Sequence, residues 1–378
     1  MMTLARATDA RRTGGALLRI DRLRLFGLRT LRPVLRRSPW LRRAWVRRDT
    51  RVPLMLSAHA VAAFAVAVFA PSLSLALAPI LLGVPHAASD VRHLVLRRAL
   101  PRWWLFAIGV FAGALLLVRA LEETRVWPVT PLRLEHALGS GWILIGAVGG
   151  AMRGGRRRFA WLALLLAGAV AATSLMAPDA FRLGFVQAHN LVAIALWILL
   201  FRRGIRHAWL PVLIVLGGGA LLGSGALLGV TLRHGALSVL GLHLFAAADW
   251  IAPGLPDAQA IALTTAFAYL QSVHYAIWLV AIPQEDARAK GRPSVRMAWR
   301  DLSRDLWPAG LALVITLTAV VIGAGVVAPL RTRSLFLSLA TFHGWLELAL
   351  LAYFVARDGL GRPLAVWAVP PLAARAVA

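Results

Sequence analysis

Long apolar stretches, separated by short basic or proline-containing segments, recur along most of this 378-residue chain. A helix needs about 20 predominantly apolar residues to cross the hydrocarbon core of a bilayer. Ten stretches approach or exceed that length: 53–70, 73–91, 103–120, 135–152, 159–176, 183–201, 209–231, 258–282, 307–328 and 335–357. The pattern predicts an all-α fold, a polytopic transmembrane helical bundle of about ten spans, with the lipid bilayer as its main partner.

One apolar segment, ALSVLGLHLFAAADWIA at 236–252, does not fit the distribution of charge between the loops. If it crossed the membrane, the basic loop after Ile282 would lie on the side opposite to the other basic loops. That would violate the positive-inside rule. We therefore expect a re-entrant or interfacial segment near 236–252, with both termini cytoplasmic and the chain in a bacterial inner or plasma membrane. Nine or eleven spans remain alternatives.

The composition supports this class. Hydrophobic residues make up 59% of the chain, charged residues only 15%, and the formal net charge is +26. Because the basic residues lie between the apolar stretches, the positive-inside rule explains them and we expect no nucleic-acid partner. The chain has no cysteine, which excludes disulfides, thiolate metal sites and thiol nucleophiles.

Three regions follow from the pattern. Residues 1–52 mix arginine with Leu, Phe and Trp and predict a basic, amphipathic or disordered N-terminal segment. An amphipathic segment of this kind binds anionic lipid headgroups. Residues 53–357 form the transmembrane domain, and 358–378 form a cytoplasmic C-terminal tail.

Five of the ten histidines are predicted near the membrane midplane, on five different spans: His59, His86, His189, His274 and His343. A helical rise of about 1.5 Å per residue places them within one slab about 12 Å thick. Ionisable residues inside a membrane are costly and mark functional sites. A single histidine finds a hydrogen-bond partner on a neighbouring helix, but the set favours a metal, for which imidazole is the commonest protein ligand.

We predict His86, His189, His274 and His343 as metal ligands, with His59 and His243 in reserve. Asp90 and Glu347 each lie one helical turn beyond a predicted ligand, where a carboxylate can orient an imidazole or bind the ion itself. Asn190 and Tyr275 adjoin two of the ligands in sequence, and we expect them, like the two carboxylates, to contact the ligand side chains. A sulfur-free set of histidines and carboxylates favours non-haem iron over zinc, manganese or copper.

Other functions fit the same residues. Histidine pairs on facing helices can hold haem, and buried histidines can relay protons in a transporter or channel. The histidines can also be satisfied core residues of a scaffold. The stretch GGGALLGSGALLG contains Gly219–Gly223 and Gly225–Gly229, a spacing that lets helices approach closely. We assign that stretch to packing.

The stretch GVPHAASD at 83–90 resembles the Gly-[Leu/Ile]-Pro-His-Gly-x-x-Asp signature of bacterial Brp/Blh-type membrane β-carotene dioxygenases. The resemblance implies a non-haem iron that cleaves the central double bond of a carotenoid with dioxygen to give retinal. His86 and Asp90 match the His and Asp of the signature. Ala87 replaces its second glycine, HLFAAAD at 243–249 has one extra residue relative to a later family motif, and single histidines stand where the family has a pair.

The expected function is therefore that of an integral membrane non-haem metalloprotein, an iron-dependent oxygenase or oxidase. Its substrate would be an apolar small molecule, carotenoid-like and soluble in lipid. A haem protein and a transporter or channel are the alternatives.

Overall fold

The computed structural model describes residues 37–124, 132–154, 156–202, 207–286 and 295–360, with a few isolated residues before 37. These residues are almost wholly helical, which confirms the all-α bundle. Most of the predicted N-terminal segment and C-terminal tail lies outside the described residues. The helices are α1 (Pro39–Val46), α2 (Arg48–Phe69), α3 (Pro71–Asp90), α4 (Arg102–Glu123), α5 (Leu132–Ala151), α6 (Arg157–Met176), α7 (Pro178–Leu196), α8 (Trp209–Gly223), α9 (Leu228–His234), α10 (Leu244–Ile251), α11 (Asp257–Ala276), α12 (Ile282–Glu285), α13 (Val295–Val327), α14 (Pro329–Leu339) and α15 (Thr341–Asp358).

Each predicted span coincides with one of these helices or with a consecutive pair. By length and hydropathy, eight helical segments of the described chain can cross a membrane, and the bent pair α8–α9 would make a ninth. Helix α5 is equally long but begins with Arg133 and Glu135, which lower its mean hydropathy. The chain is therefore an integral membrane protein with several spans.

Two helices organise the bundle. Helix α11 is the most buried of the candidate spans and packs against α2, α3, α7, α8 and α10. Helix α15 packs against α4, α5 and α6, and it also touches α3 and α7. The region where α3, α7, α11 and α15 meet thus lies in the interior of the bundle. Helix α13 lies at the periphery and is the least buried.

The segment near 236–252 is not a transmembrane helix. Strand β1 (Ser238–Val239) pairs with β2 (Leu242–His243) in an antiparallel hairpin, and α10 follows. Leu240 and Gly241 form its two-residue turn with positive φ angles of 52° and 80°, as the right-handed twist of a tight hairpin favours. The Ser72 hydroxyl donates to the Leu237 carbonyl at 2.7 Å and ties the hairpin to the start of α3.

The glycine-rich stretch packs against a neighbouring helix, and it also interrupts its own helix. A β-carbon at Gly219 would lie 3.3 Å from the Leu270 side chain of α11, so the two helices approach closely at this position. Four residues beyond Gly219 the helix ends, and α8 and α9 meet at an angle of 78°. Gly225 takes a φ of +77° in the break, a conformation that favours glycine.

Three helices continue into π-helical segments: Val91–Leu96 after α3, Trp197–Phe201 after α7, and Ile277–Ala281 after α11. A π-helical turn holds one more residue than an α-helical turn and is frequent at functional sites. All three segments occur on helices that carry a predicted histidine ligand.

A buried ion-pair cluster lies at the end of the bundle where the π-helical segments finish. It comprises His93, Arg97, Arg98, Arg202, Glu285 and Asp286. The Asp286 carboxylate accepts from His93 Nδ1 at 2.8 Å and lies 2.9 Å from an Arg98 nitrogen. Burial by itself would raise the pKa of Asp286, but the His93 hydrogen bond and the arginine charges outweigh it and lower the pKa to about 2. Asp286 is therefore ionised and links α3 to the end of α12.

Helices α5 and α15 approach so closely that side chains are excluded between them. A β-carbon at Gly146 would lie 2.5 Å from the Ala349 carbonyl oxygen. One turn on, a β-carbon at Gly150 would overlap the Tyr353 carbonyl. Gly146 and Gly150 therefore allow a closer helix contact than Gly219 and Gly223 do, where a β-carbon would lie 3.3 and 3.8 Å from its nearest neighbour.

We predict that Gly146→Ala destabilises the bundle by about 1–3 kcal/mol, because the added methyl group overpacks the α5–α15 contact. The matched control is Gly168→Ala in α6, where a β-carbon would meet nothing within 4 Å. There the change should be neutral or slightly stabilising, since alanine is the better helix former. Thermal unfolding in detergent measures both variants, and equal melting temperatures for the two would contradict the packing.

Candidate metal centre

The four histidines predicted as ligands meet at the junction of α3, α7, α11 and α15. His86 Nε2 lies 2.7 Å from His274 Nε2, and His189 Nε2 lies 3.1 Å from His343 Nε2. The His86 ring is also 4.8 Å from the His343 ring, and the His189 ring is 4.7 Å from the His274 ring, measured between centroids. Each imidazole thus contacts at least two others, although the four residues are far apart in sequence.

Packing at neighbouring positions fixes these rings. Gly83 lies one turn before His86, and the Phe336 ring of α14 occupies the space that a β-carbon at Gly83 would take. The glycine of GVPH therefore lets α14 pack directly against α3 beside the site. His343 Nδ1 hydrogen bonds to the Ala340 carbonyl of its own chain, which turns the other ring nitrogen toward His189.

Two buried carboxylates complete the site. Asp90 Oδ2 lies 3.6 Å from His86 Nε2. Glu347 reaches two imidazoles, with one oxygen 3.5 Å from His189 Nδ1 and the other 3.5 Å from His274 Nε2. We call these six residues, His86, Asp90, His189, His274, His343 and Glu347, the histidine–carboxylate cluster.

The ligand atoms of the cluster form three overlapping triplets, each with its atoms within 4.8 Å of one another. The triplets are His86–His274–His343, His189–His274–Glu347 and His86–Asp90–Glu347. Two nitrogens bound side by side to one metal ion, with bonds of about 2.0–2.1 Å, lie about 2.9–3.4 Å apart. The His189–His343 separation of 3.1 Å is in that range, and the His86–His274 separation of 2.7 Å is slightly below it. Together with the three triplets, these separations show that the cluster can hold a metal ion.

The carboxylates carry the strongest indication of a cation. Asp90 and Glu347 have essentially no exposed surface. Neither oxygen of Asp90 and only one oxygen of Glu347 has a hydrogen-bond donor among the described residues. An ionised carboxylate inside a membrane costs several kcal/mol unless it is paired or coordinates a metal. A cation bound by the imidazoles and carboxylates would remove that cost.

Other predicted residues fall at different places. His59 is exposed on α2, and its Nδ1 hydrogen bonds to the Met55 carbonyl at 2.8 Å. His243 is exposed beside the hairpin, where its Nδ1 accepts from the Phe245 amide. The Asn190 side chain donates to the Val186 carbonyl of its own helix. The structure therefore brings together the four main ligands and does not bring either reserve histidine to them.

Tyr275 and Trp278 line the cluster. The Tyr275 ring lies 4.8 Å from the His86 ring, between centroids. Trp278 Nε1 donates to Glu347 Oε1 at 2.6 Å and holds that carboxylate against His274. Sequence reasoning gave Trp278 no such role. Its position one turn after His274 was the available signal, because residues four apart share a helix face.

An aromatic wall adjoins His189 on one side. The rings of Phe185 and Trp345 stack at 4.6 Å between centroids, and Phe181 stacks on both. The wall places apolar surface beside the His189 imidazole. Ligand sites of this composition bind mostly apolar molecules and orient them with a few polar groups.

Comparisons with known proteins give no match: no family model, no curated protein and no solved structure matches this chain. The geometry therefore carries the functional argument. It shows a helical membrane protein whose interior contains histidines and carboxylates that can bind a metal.

Proposed function

We propose that the chain is a membrane-embedded non-haem metalloprotein, an iron-dependent oxygenase or oxidase that acts on a lipid-soluble substrate. One observation carries the proposal: four imidazoles from four helices converge next to two buried carboxylates, of which three oxygens have no hydrogen-bond donor among the described residues. A bundle core that only needed to be stable would be better filled by apolar side chains, since buried ionisable groups gain less than they lose.

The donor types favour iron. Nitrogen and oxygen donors from histidine and carboxylate, with coordination positions left open, are typical of non-haem iron oxygenases. When bound, the ion would supply the redox chemistry and a site for dioxygen. The protein's own residues have positioning roles. His343 is oriented by the Ala340 carbonyl, and Glu347 is held by the Trp278 indole.

The surroundings favour an apolar substrate. The aromatic wall of Phe181, Phe185 and Trp345 and the Tyr275 ring border the cluster. The site lies within the predicted spans, so its substrate would come from the bilayer rather than from water. The resemblance of residues 83–90 to β-carotene dioxygenases makes a carotenoid the first substrate to test.

The spacing of the histidines argues against haem. Two axial nitrogens on one haem iron lie about 4 Å apart, twice a metal–nitrogen bond of about 2.0 Å. Here the close pairs are separated by 2.7 and 3.1 Å. A macrocycle would also have to fit between rings whose centroids are 4.7–4.8 Å apart.

A proton relay is the second candidate. The hydrogen bond between His86 and His274, and the contacts of Glu347 with both His274 and His189, connect titratable groups across the bundle core. Chains of His and carboxylate groups carry protons in membrane transporters. Such a relay needs no metal, so metal analysis separates the two candidates.

We also propose that the ion-pair cluster faces the cytoplasm of a bacterial inner membrane. Arg97, Arg98 and Arg202 all lie at that end of the bundle. An excess of arginine at one end is the signature of the cytoplasmic side.

We predict that the protein, purified in mild detergent, contains at least about one iron ion per chain. His86→Ala and His274→Ala should each weaken iron binding by about 10-fold to 100-fold or more, because each removes a donor. Elemental analysis measures the content. The matched control is His59→Ala, which removes an exposed histidine of a neighbouring helix and should leave the iron content unchanged.

The proposal of a metalloprotein is overturned if the purified wild type contains no transition metal and stays metal-free after incubation with ferrous iron. Proton uptake into vesicles that is lost in the same variants would then support the relay.

We predict that the iron-loaded protein consumes β-carotene with dioxygen, each carotene and one O₂ giving two retinal molecules. Chromatography of the extracted pigment measures the product. His86→Ala should abolish retinal formation, and His243→Ala, outside the cluster, should retain it. If retinal is absent from the wild-type reaction while iron is bound, the carotenoid is excluded as substrate and the metal centre stands.

A further inference from the structure

The histidine–carboxylate cluster offers more donors than a single reactive metal ion can use. Four imidazoles and two carboxylates would fill all six positions of an octahedral ion and leave none open for dioxygen or substrate. We propose that the cluster holds two metal ions and that Glu347 bridges them. This inference rests on the proposed metal centre and specifies how many ions it contains.

The grouping of the donors supports a pair. Two of the triplets, His189–His274–Glu347 and His86–Asp90–Glu347, share no residue other than Glu347. A carboxylate has two oxygens and can bind one ion with each. Each ion would then have two donors of its own and one oxygen of the shared carboxylate, with open positions remaining.

Distances within each of the two triplets agree with this division, and His274 lies at the boundary between the two ions, with its Nε2 2.7 Å from His86 Nε2. One ion with bonds of about 2.0–2.2 Å holds its ligand atoms no more than about 4.4 Å apart. The Glu347 oxygens lie 3.5 Å from His189 Nδ1 and 3.5 Å from His274 Nε2, and Asp90 lies 3.6 Å from His86 Nε2. Paired metal ions in enzymes are about 3.5–4 Å apart, a separation that a single carboxylate can bridge.

His343 is the remaining donor. Its Nε2 lies 3.1 Å from His189 Nε2, and it also shares a triplet with His86 and His274. It can therefore complete the coordination of either ion. Sites of this construction, with histidines and carboxylates from facing helices around two ions, are a recurring feature of helical bundles.

The charges predict unequal binding. The two carboxylates neutralise one divalent ion, whereas the imidazoles contribute no charge. A second divalent ion enters a site that is already neutral and is repelled by the first, so it binds more weakly. Glu347 between the ions reduces this repulsion, and the Trp278 N–H at 2.6 Å fixes the carboxylate in place.

The experiment counts ions in the full chain. Protein stripped with a chelator in detergent is titrated with Co²⁺ without oxygen, and bound cobalt is measured by visible absorption and elemental analysis. We expect the wild type to bind two ions in a tight and a weaker step. Asp90→Asn and His189→Ala should each bind one, because each removes a donor from a different triplet.

Two controls lie outside the cluster. Asp249→Asn removes an exposed carboxylate of α10, and His59→Ala removes an exposed imidazole of α2; both should still bind two ions. Because a cluster variant can fail to fold, the wild type also gives an independent readout. Two ions bridged by one carboxylate should couple magnetically, which electron paramagnetic resonance of the Mn²⁺-loaded protein detects.

Saturation of the wild type at one ion, or two ions without magnetic coupling, would overturn the bridged pair and leave the metal centre intact. Unchanged stoichiometry in both Asp90→Asn and His189→Ala would overturn the assignment of donors. No binding at all would overturn the metal centre itself.

Discussion

The structure depends on satisfying polar groups that lie inside hydrocarbon. Asp90 and Glu347 are fully buried, and they lie beside imidazoles and the Trp278 indole. Each ionised group in such a place costs several kcal/mol without a partner. No single helix supplies the partners, because His86, His189, His274 and His343 come from four helices. The helices must therefore meet at one point for any of these residues to be tolerated.

Helices α11 and α15 show how the bundle meets this requirement. Helix α11 is buried on nearly all sides and brings His274 and Trp278 to the centre, while α15 brings His343 and Glu347. The glycines of α5 let α15 approach closely, and Gly83 lets α14 pack beside His86. Small residues thus act at the contacts that position the donors, as membrane helices use them in general.

Much of this could be predicted from the sequence. Apolar stretches predicted the long helices of the described chain, since hydropathy is a strong signal in membranes, and counting residues from the span centres predicted that the four ligands share one depth. Depth does not say which way a side chain points. His59 has the right depth but is exposed, and α2 is apolar all round, so its periodicity could not reveal this. Pairings such as Trp278 with Glu347, or Asp286 with His93, join distant parts of the chain and leave no local pattern.

The three π-helical segments separate two structural tasks within single helices. Each lies between a ligand histidine and a member of the ion-pair cluster that follows it in the chain: His86 of α3 and Arg97, His189 of α7 and Arg202, His274 of α11 and Asp286. An extra residue in one turn rotates everything after it by about 100° around the helix axis. The direction in which the ligand histidines point from each helix is thereby independent of the direction in which the charged residues after the π-helical segment point. An insertion or deletion of one residue in such a segment would reset the charged end of the helix while leaving the donor half in place, so the two halves can evolve separately.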